Sequence, residues 1–113
     1  MDTNKLIILI DIAFTEINNV VAKSKYFNND KEPILSTKKV LQLLKEQVKS
    51  HPNNINERVL RAMHDLGMSS YKEFENTSLE DAITKITGVL YSEMPKYKFL
   101  EPLRNDFGKG DPI

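Results

Sequence analysis

Cysteine is absent from the 113-residue sequence, tryptophan is absent too, and histidine occurs only twice. Without cysteine the chain has no disulfide, no thiolate metal site and no cysteine nucleophile. Two histidines are too few for a histidine-rich zinc site. These absences exclude several classes of metalloprotein and enzyme, and they leave the redox compartment open.

The sequence also lacks an excess of one charge and a long apolar run. Basic and acidic residues number 16 each, which argues against a general polyanion-binding protein. The longest apolar run, Leu6 to Ile10, is far shorter than the roughly 20 residues needed to cross a bilayer. Its flanking residues do not fit a secretory signal either. We therefore expect one cytoplasmic domain spanning residues 1–113, with no membrane partner.

Apolar residues recur at three- and four-residue steps along most of the chain, the period of an amphipathic helix. No segment alternates long enough to predict a strand. The pattern predicts an all-α bundle of three to four main helices near residues 3–23, 33–50, 54–75 and 78–92. The predicted buried positions are Leu6, Ile10, Ala13, Ile17 and Val20 in the first helix, Ile34, Thr37, Leu41, Leu44 and Val48 in the second, Val59, Leu60, Met63, Leu66, Ser70 and Phe74 in the third, and Leu79, Ala82, Ile83, Ile86, Val89 and Leu90 in the fourth.

The stretch from Asn54 to Tyr91 carries two of these helices and organises the rest. Asn54 followed by Glu57 predicts a capping box at the start of the third helix. Gly67 favours a helix that is interrupted or weakened at that point. Ser78 is the expected cap of the fourth helix, after a polar break that begins at Asn76.

Two other segments carry aromatic residues in turn-rich sequence. Tyr26 and Phe27 are expected to cover one end of the core. Residues 92–113 contain prolines and glycines, together with apolar side chains such as Phe99 and Phe107. We expect this tail to pack along the bundle, because it is too apolar to stay solvated.

No catalytic constellation emerges from the sequence. His64 lies beside Asp65 and near Arg61, and a histidine titrates near neutral pH. A lone histidine with no nucleophile at matching spacing is more often a residue at the boundary of the core. No calcium-loop pattern is present among the acidic residues. We expect no catalytic site, no metal and no cofactor.

Two charged clusters have alternative interpretations. Lys38, Lys45 and Lys49 share one face of the second helix and could follow a phosphate backbone, but such a face is also typical of any solvated surface helix. Acidic residues surround the turn at residues 76–78. They could meet a basic patch on another protein, or could simply compensate the dipole of the following helix.

The run LGMSSYKEFENTSLEDAI, Leu66 to Ile83, resembles a segment of a known family. In that family Leu-Gly precedes an apolar residue, Lys/Arg-Glu-Phe and an acidic turn that leads into a helix. The family consists of small all-helical immunity proteins paired with NAD(P)+ glycohydrolase effectors of type VI secretion. Ile10-Asp11 with Ala13-Phe14 is similar to the family's first helix. Leu35-Ser36 with Leu41-Gln42 is similar to its second helix.

The resemblance implies an antitoxin that binds the catalytic domain of a cognate toxin and blocks its active site. The expected toxin-binding residues are Tyr71, Glu73, Glu75 and Asp81, because Phe74 should face the core and its neighbours should turn outward. The leading alternative is a helical adaptor that binds another host protein. A nucleic-acid-binding helical domain that uses the three lysines is the second alternative.

Overall fold

A computed structural model describes residues 3–23 and 31–93 of the chain. These residues form four helices and contain no strand, which confirms the predicted all-α class. The helices are α1 (Thr3–Lys23), α2 (Glu32–Ser50), α3 (Glu57–Glu73) and α4 (Ser78–Glu93).

The four helices form an up-down-up-down bundle. α1 packs against α2 and α4, and α3 packs against the same two helices. Contacts show that α4 runs antiparallel to both neighbours. Glu16, late in α1, meets Ser78 at the start of α4. Along α3, His64 meets Tyr91 and the later Gly67 lies beside the earlier Thr87 of α4. Each helix therefore places one stripe on a shared core, as in other antiparallel bundles.

The core consists of the stripes that the periodicity predicts. Every position predicted to be buried is buried, including Met63, Ile83 and Ile86, none of which has any exposed surface. One further residue completes the core: Ile55, fully buried, lies in the loop between α2 and α3, where helical periodicity gives no signal.

The start of α3 differs from the prediction. The helix begins at Glu57, and its cap is Asn56, whose side-chain oxygen accepts a 2.8 Å hydrogen bond from the backbone N–H of Arg58. Asn54 lies in the loop and is not the cap, so the predicted capping box was wrong. The backbone N–H of Asn56 donates to the side chain of Gln47 on α2, and this tertiary bond fixes where the chain turns.

The burial of Ile55 also explains why the cap of α3 is Asn56 and not Asn54. It immediately precedes the cap, and Leu60 is the fourth helical residue, so the two occupy the positions of a hydrophobic staple. Both are fully buried. A helix capped by Asn54 would instead have Asn53, a polar and exposed residue, in the position before the cap.

Gly67 neither ends nor interrupts α3, which is a single helix through Glu73. The expected weakening was wrong because Gly67 serves the packing of α3 on α4. A Cβ atom built on Gly67 would lie 3.0 Å from the Cγ2 atom of Thr87. Because Gly67 has no side chain, Thr87 can pack directly against α3 at this position.

The turn between α3 and α4 is held by its own side chains. The Thr77 hydroxyl donates to the carbonyl of Phe74 at 2.7 Å and accepts from the backbone N–H of Glu80 at 3.3 Å. Thr77 is thus the cap of α4, and the expectation for Ser78 was wrong. Ser78 instead donates a 2.7 Å hydrogen bond to Glu16 of α1, so adjacent hydroxyls have separate structural roles.

The tail was predicted to begin at residue 92, but α4 continues through Glu93. The predicted packing of the tail from residue 94 onward, and that of Tyr26 and Phe27, lies outside the described residues. In the part that is described, no helix combines the length and the apolar character needed to cross a membrane.

Candidate functional site

The four residues predicted to bind a toxin lie around the end of the bundle where α3 turns into α4. Tyr71, Glu73, Glu75 and Asp81 are all exposed, and Phe74 between them is only 1% exposed. The helical period therefore predicted correctly which side chains turn outward. Their exposure makes them available to a partner, and it does not by itself assign one.

The structure separates two of these residues onto different flanks of α3. Tyr71 lines a shallow groove of about 90 Å³ between α3 and α4. Glu73 lines a larger groove of about 350 Å³ between α2 and α3. Tyr71 and Glu73 therefore do not share one groove.

The groove between α3 and α4 has an apolar and aromatic rim. Its lining residues are His64, Gly67, Met68, Tyr71, Thr84, Thr87 and Tyr91. Met68 and Tyr71 are 56% and 57% exposed, and they lie three residues apart on the same helix. We call these two side chains the Met68–Tyr71 ridge.

Sequence reasoning missed Met68. A signal was present, because Met68 is a large apolar residue that falls outside the buried stripe of an otherwise regular amphipathic helix. Single exposed apolar residues are common, so this signal gains meaning only beside a second one. The structure supplies Tyr71 as that second residue.

The acidic residues around the turn have different surroundings. The Glu80 carboxylate accepts from the backbone N–H of Asn76, which has a left-handed backbone with φ of 63°. Glu80 and Asp81 are in the first turn of α4, where the helix dipole favours negative charge. Helix-dipole compensation therefore accounts for these two acids.

Helix-dipole compensation does not account for the position of Glu73. It is the last residue of α3, and the C-terminal end of a helix dipole disfavours a negative charge. It also shares the groove between α2 and α3 with Glu32, a second carboxylate. Two carboxylates that line one groove suit a positively charged partner.

His64 takes part in an inter-helix contact. Its Nδ1 atom and the hydroxyl of Tyr91 share a hydrogen bond, and the two rings meet edge to face with centroids 6.1 Å apart. Both side chains are half-buried. The contact joins α3 to α4, in agreement with the interpretation of His64 as a residue at the boundary of the core.

The lysine face on α2 is partly occupied by an ion pair. The Nζ atom of Lys45 lies 2.7 Å from a carboxylate oxygen of Asp11 on α1. Lys38 is half-buried and Lys49 is exposed. The middle member of the three predicted lysines is therefore neutralised within the fold, which reduces the positive field available to a phosphate backbone.

The described residues hold no group of three or more acidic or histidine side chains placed to bind a metal ion. Neither the groove beside Tyr71 nor that beside Glu73 contains a cluster of this kind.

Comparison with protein-family models, curated proteins and solved structures finds no match to this chain.

Proposed function

We propose that the chain is an immunity protein that binds the catalytic domain of a cognate interbacterial toxin, an NAD(P)+ glycohydrolase, and blocks its active site. The protein acts by occlusion and performs no chemistry of its own. The observation that carries the proposal is the Met68–Tyr71 ridge, exposed beside an acidic turn at one end of a bundle.

The ridge has the composition of a binding hot spot. Tyrosine and methionine are enriched at protein interfaces, and a few such anchors supply most of the binding energy. Tyr71 orders few rotatable bonds when it is buried against a partner, so the entropic cost of binding is small. An apolar socket on the toxin that receives Tyr71 would exclude water from the centre of the contact.

The carboxylates at the end of α3 suit the proposed target. An enzyme that binds a dinucleotide presents positive charge or hydrogen-bond donors to its diphosphate. Glu73 and Glu75 are acids that the dipole of α3 does not stabilise, and a basic active-site entrance would pair with them. Complementary charge of this kind accelerates association and suppresses wrong partners.

The same stretch carries the sequence resemblance to immunity proteins. Leu66 to Ile83 contains the ridge, the acidic turn and the first part of α4. One segment thus supplies the family-like sequence, the exposed anchors and the charge.

Co-expression tests the proposal directly. Cells that express the suspected toxin should survive only when this protein is present, the two proteins should co-purify, and NAD+ consumption by the purified toxin should stop on addition of the protein. Survival without a physical complex, or a complex in which NAD+ consumption continues, would contradict occlusion. The second outcome would favour the helical adaptor.

The two flanks of α3 allow the contact surface to be mapped. Tyr71→Ala removes the anchor of one groove, and Glu73→Lys reverses the charge of the other. Leu43→Ala, which shortens a side chain 40% exposed on α2, is the matched control. We expect Tyr71→Ala to weaken the complex at least tenfold, the usual effect of removing a hot spot of roughly 2 kcal/mol. Equal losses of affinity for Tyr71→Ala and Leu43→Ala would show that the Met68–Tyr71 ridge is not part of the interface.

A further inference from the structure

The groove between α2 and α3 lies where α2 begins and α3 ends. It encloses about 350 Å³, which is in the lower part of the roughly 300–1,000 Å³ range of small-ligand sites and leaves room for one long side chain. Part of its lining is apolar, since Pro33, Leu66 and Phe74 contribute to it. A side chain that enters this groove therefore needs an apolar stem as well as a head that matches the polar part of the lining.

The polar side chains that line the groove offer hydrogen-bond acceptors and, in the part of the chain that is described, no free donor. Three hydroxyls line it, and each donates within the chain: Ser36 to a carboxylate oxygen of Glu32 at 2.9 Å, Thr37 to the carbonyl of Pro33 at 2.6 Å, and Ser69 to the carbonyl of Leu66 at 3.2 Å. The other polar side chains of the groove are the carboxylates of Glu32 and Glu73. A matching head carries several donors and no acceptor, which is the character of arginine and lysine.

The charge at the Glu73 end of the groove favours a cation. Within residues 31–93, the Glu73 carboxylate takes part in no hydrogen bond or ion pair, and it lies at the negative end of the α3 dipole. Glu32 is in the first turn of α2, where the helix dipole offsets its charge. Lys31 and Lys72, which adjoin these glutamates in sequence, are not among the lining residues and form no ion pair with either carboxylate. Glu73 is therefore the acid of this groove that a cation from outside would pair with.

We propose that this groove receives one arginine side chain of the toxin, with the guanidinium on the Glu73 carboxylate and the methylene stem against Pro33 and Leu66. The inference rests on the proposed function, and it names the chemistry of the contact on this flank of α3. Arginine fits better than lysine, because its planar fork forms two parallel hydrogen bonds with a carboxylate and its head is more weakly hydrated than an ammonium. Arginine is also enriched among the residues that dominate the binding energy of interfaces.

An arginine peptide tests the groove without any toxin. The isotope-labelled chain is titrated with acetyl-Gly-Arg-Gly-amide and followed by NMR. We expect saturable shifts at the backbone amides of Ser36, Ser69 and Glu73, with a dissociation constant on the order of millimolar, because one partly exposed ion pair contributes little. The same peptide with citrulline in place of arginine keeps the shape and loses the charge, so it should not saturate. The peptide with lysine in that place should bind more weakly than the arginine peptide.

Glu73→Gln removes the charge and keeps the size of the side chain. It should raise the dissociation constant of the arginine peptide about two- to fivefold, the usual effect of a partly exposed ion pair. Glu46→Gln is the matched control, because Glu46 is an exposed acid of α2 that does not line the groove and lies about 20 Å along the helix from Glu32. Its affinity for the peptide should equal that of the wild type. Circular dichroism should show that both variants keep their helical content.

The toxin complex provides the second measurement. Glu73→Gln should weaken it roughly tenfold or more, because it removes a charge pair from a contact that excludes water, and Glu46→Gln should leave it unchanged. If the wild-type protein forms no complex, the proposed function is wrong, and the peptide titration still decides whether the groove takes arginine. A complex that Glu73→Gln leaves intact, equal binding of the arginine peptide and either of the other two, or equal losses in the two variants would each overturn the arginine site.

Discussion

Thr87 of α4 packs directly over Gly67 of α3, where a Cβ atom on Gly67 would come within 3.0 Å of the Thr87 Cγ2 atom. The Thr87 hydroxyl donates a 2.9 Å hydrogen bond to the carbonyl of Thr84, and this bond fixes its rotamer. Rotating Cγ2 away from α3 would break the bond. The glycine and the threonine therefore determine together how closely α3 and α4 approach.

Gly67→Ala should destabilise the protein, although alanine is the better helix former. The gain in helix propensity is about 1 kcal/mol, whereas forcing a methyl group into a packed interface typically costs 1–3 kcal/mol. We expect a net loss of roughly 1 kcal/mol in the free energy of unfolding, measured by urea denaturation. Thr87→Ser, which removes Cγ2 and keeps the hydroxyl, should restore about that amount in the double variant. Additive effects of the two changes would show that the contact does not limit the approach of the helices.

Gly88→Ala is the matched comparison. Gly88 is also in a helix interior, but its added methyl group meets no atom within 4 Å. The change should therefore raise the free energy of unfolding by about 0.5–1 kcal/mol. A loss of stability for Gly88→Ala in dilute solution would mean that helix propensity does not govern this position.

The two glycines show which features the sequence pattern could predict and which it could not. Both lie in the interior of a helix, and the sequence pattern does not show that Thr87 packs against Gly67 whereas no atom lies near Gly88. The buried stripes were predictable because the helical period is a local property of the chain. The role of each glycine depends on a neighbouring helix.

The helix ends also depend on neighbouring helices, so the sequence pattern alone could not predict them. Asn54 and Asn56 are chemically identical candidates for a cap, and the choice depends on Gln47 of α2 and on the burial of Ile55. Thr77 and Ser78 are also equally good candidates for a cap, and the choice depends on Glu16 of α1, which accepts a hydrogen bond from Ser78.

For the candidate site, periodicity predicted the exposure of Tyr71 and Glu73. It could not predict that they line different grooves, because that depends on how α2 and α4 flank α3.

Ile86→Ala should lower the free energy of unfolding by about 2–5 kcal/mol. Ile86 is fully buried on α4, and its truncation loses transfer free energy and leaves a cavity in the shared core. Thermal and urea unfolding both measure the loss. Ile8→Ala is the control, because Ile8 is 58% exposed and its truncation should cost much less. Similar losses at both positions would contradict the assignment of the core.

Thr77→Ala should cost about 1 kcal/mol through loss of the cap of α4. The variant leaves the backbone N–H of Glu80 without its hydroxyl acceptor and removes the bond to the Phe74 carbonyl. Thr84→Ala, on the exposed face of the same helix, is the control and should be neutral or slightly stabilising by helix propensity. Urea unfolding at neutral pH measures both. If Thr84→Ala cost as much as Thr77→Ala, the cap would not be at Thr77.

Ser78→Ala should destabilise the fold in a way that depends on pH. The Glu16 carboxylate accepts hydrogen bonds from the Asn19 amide at 2.9 Å and from the Ser78 hydroxyl at 2.7 Å. These two bonds, with that from Asn19 the larger cause, hold the pKa of Glu16 below its ordinary value. A lowered pKa in the folded state means that the unfolded chain binds the proton more tightly. The resulting stabilisation is fully present above the ordinary glutamate pKa, and it is lost as the pH falls through the lowered value.

Removal of the Ser78 hydroxyl takes away part of that stabilisation. Wild type and Ser78→Ala should therefore differ in free energy of unfolding at pH 7, and the difference should shrink as the pH falls and Glu16 becomes protonated in both proteins. Urea unfolding at a series of pH values measures the difference. Ser92→Ala is the control, because the Ser92 hydroxyl donates to the backbone carbonyl of Val89, a group that does not titrate. Its effect should not change with pH. A Ser78→Ala difference that is equally constant would show that the hydroxyl does not act through the Glu16 carboxylate.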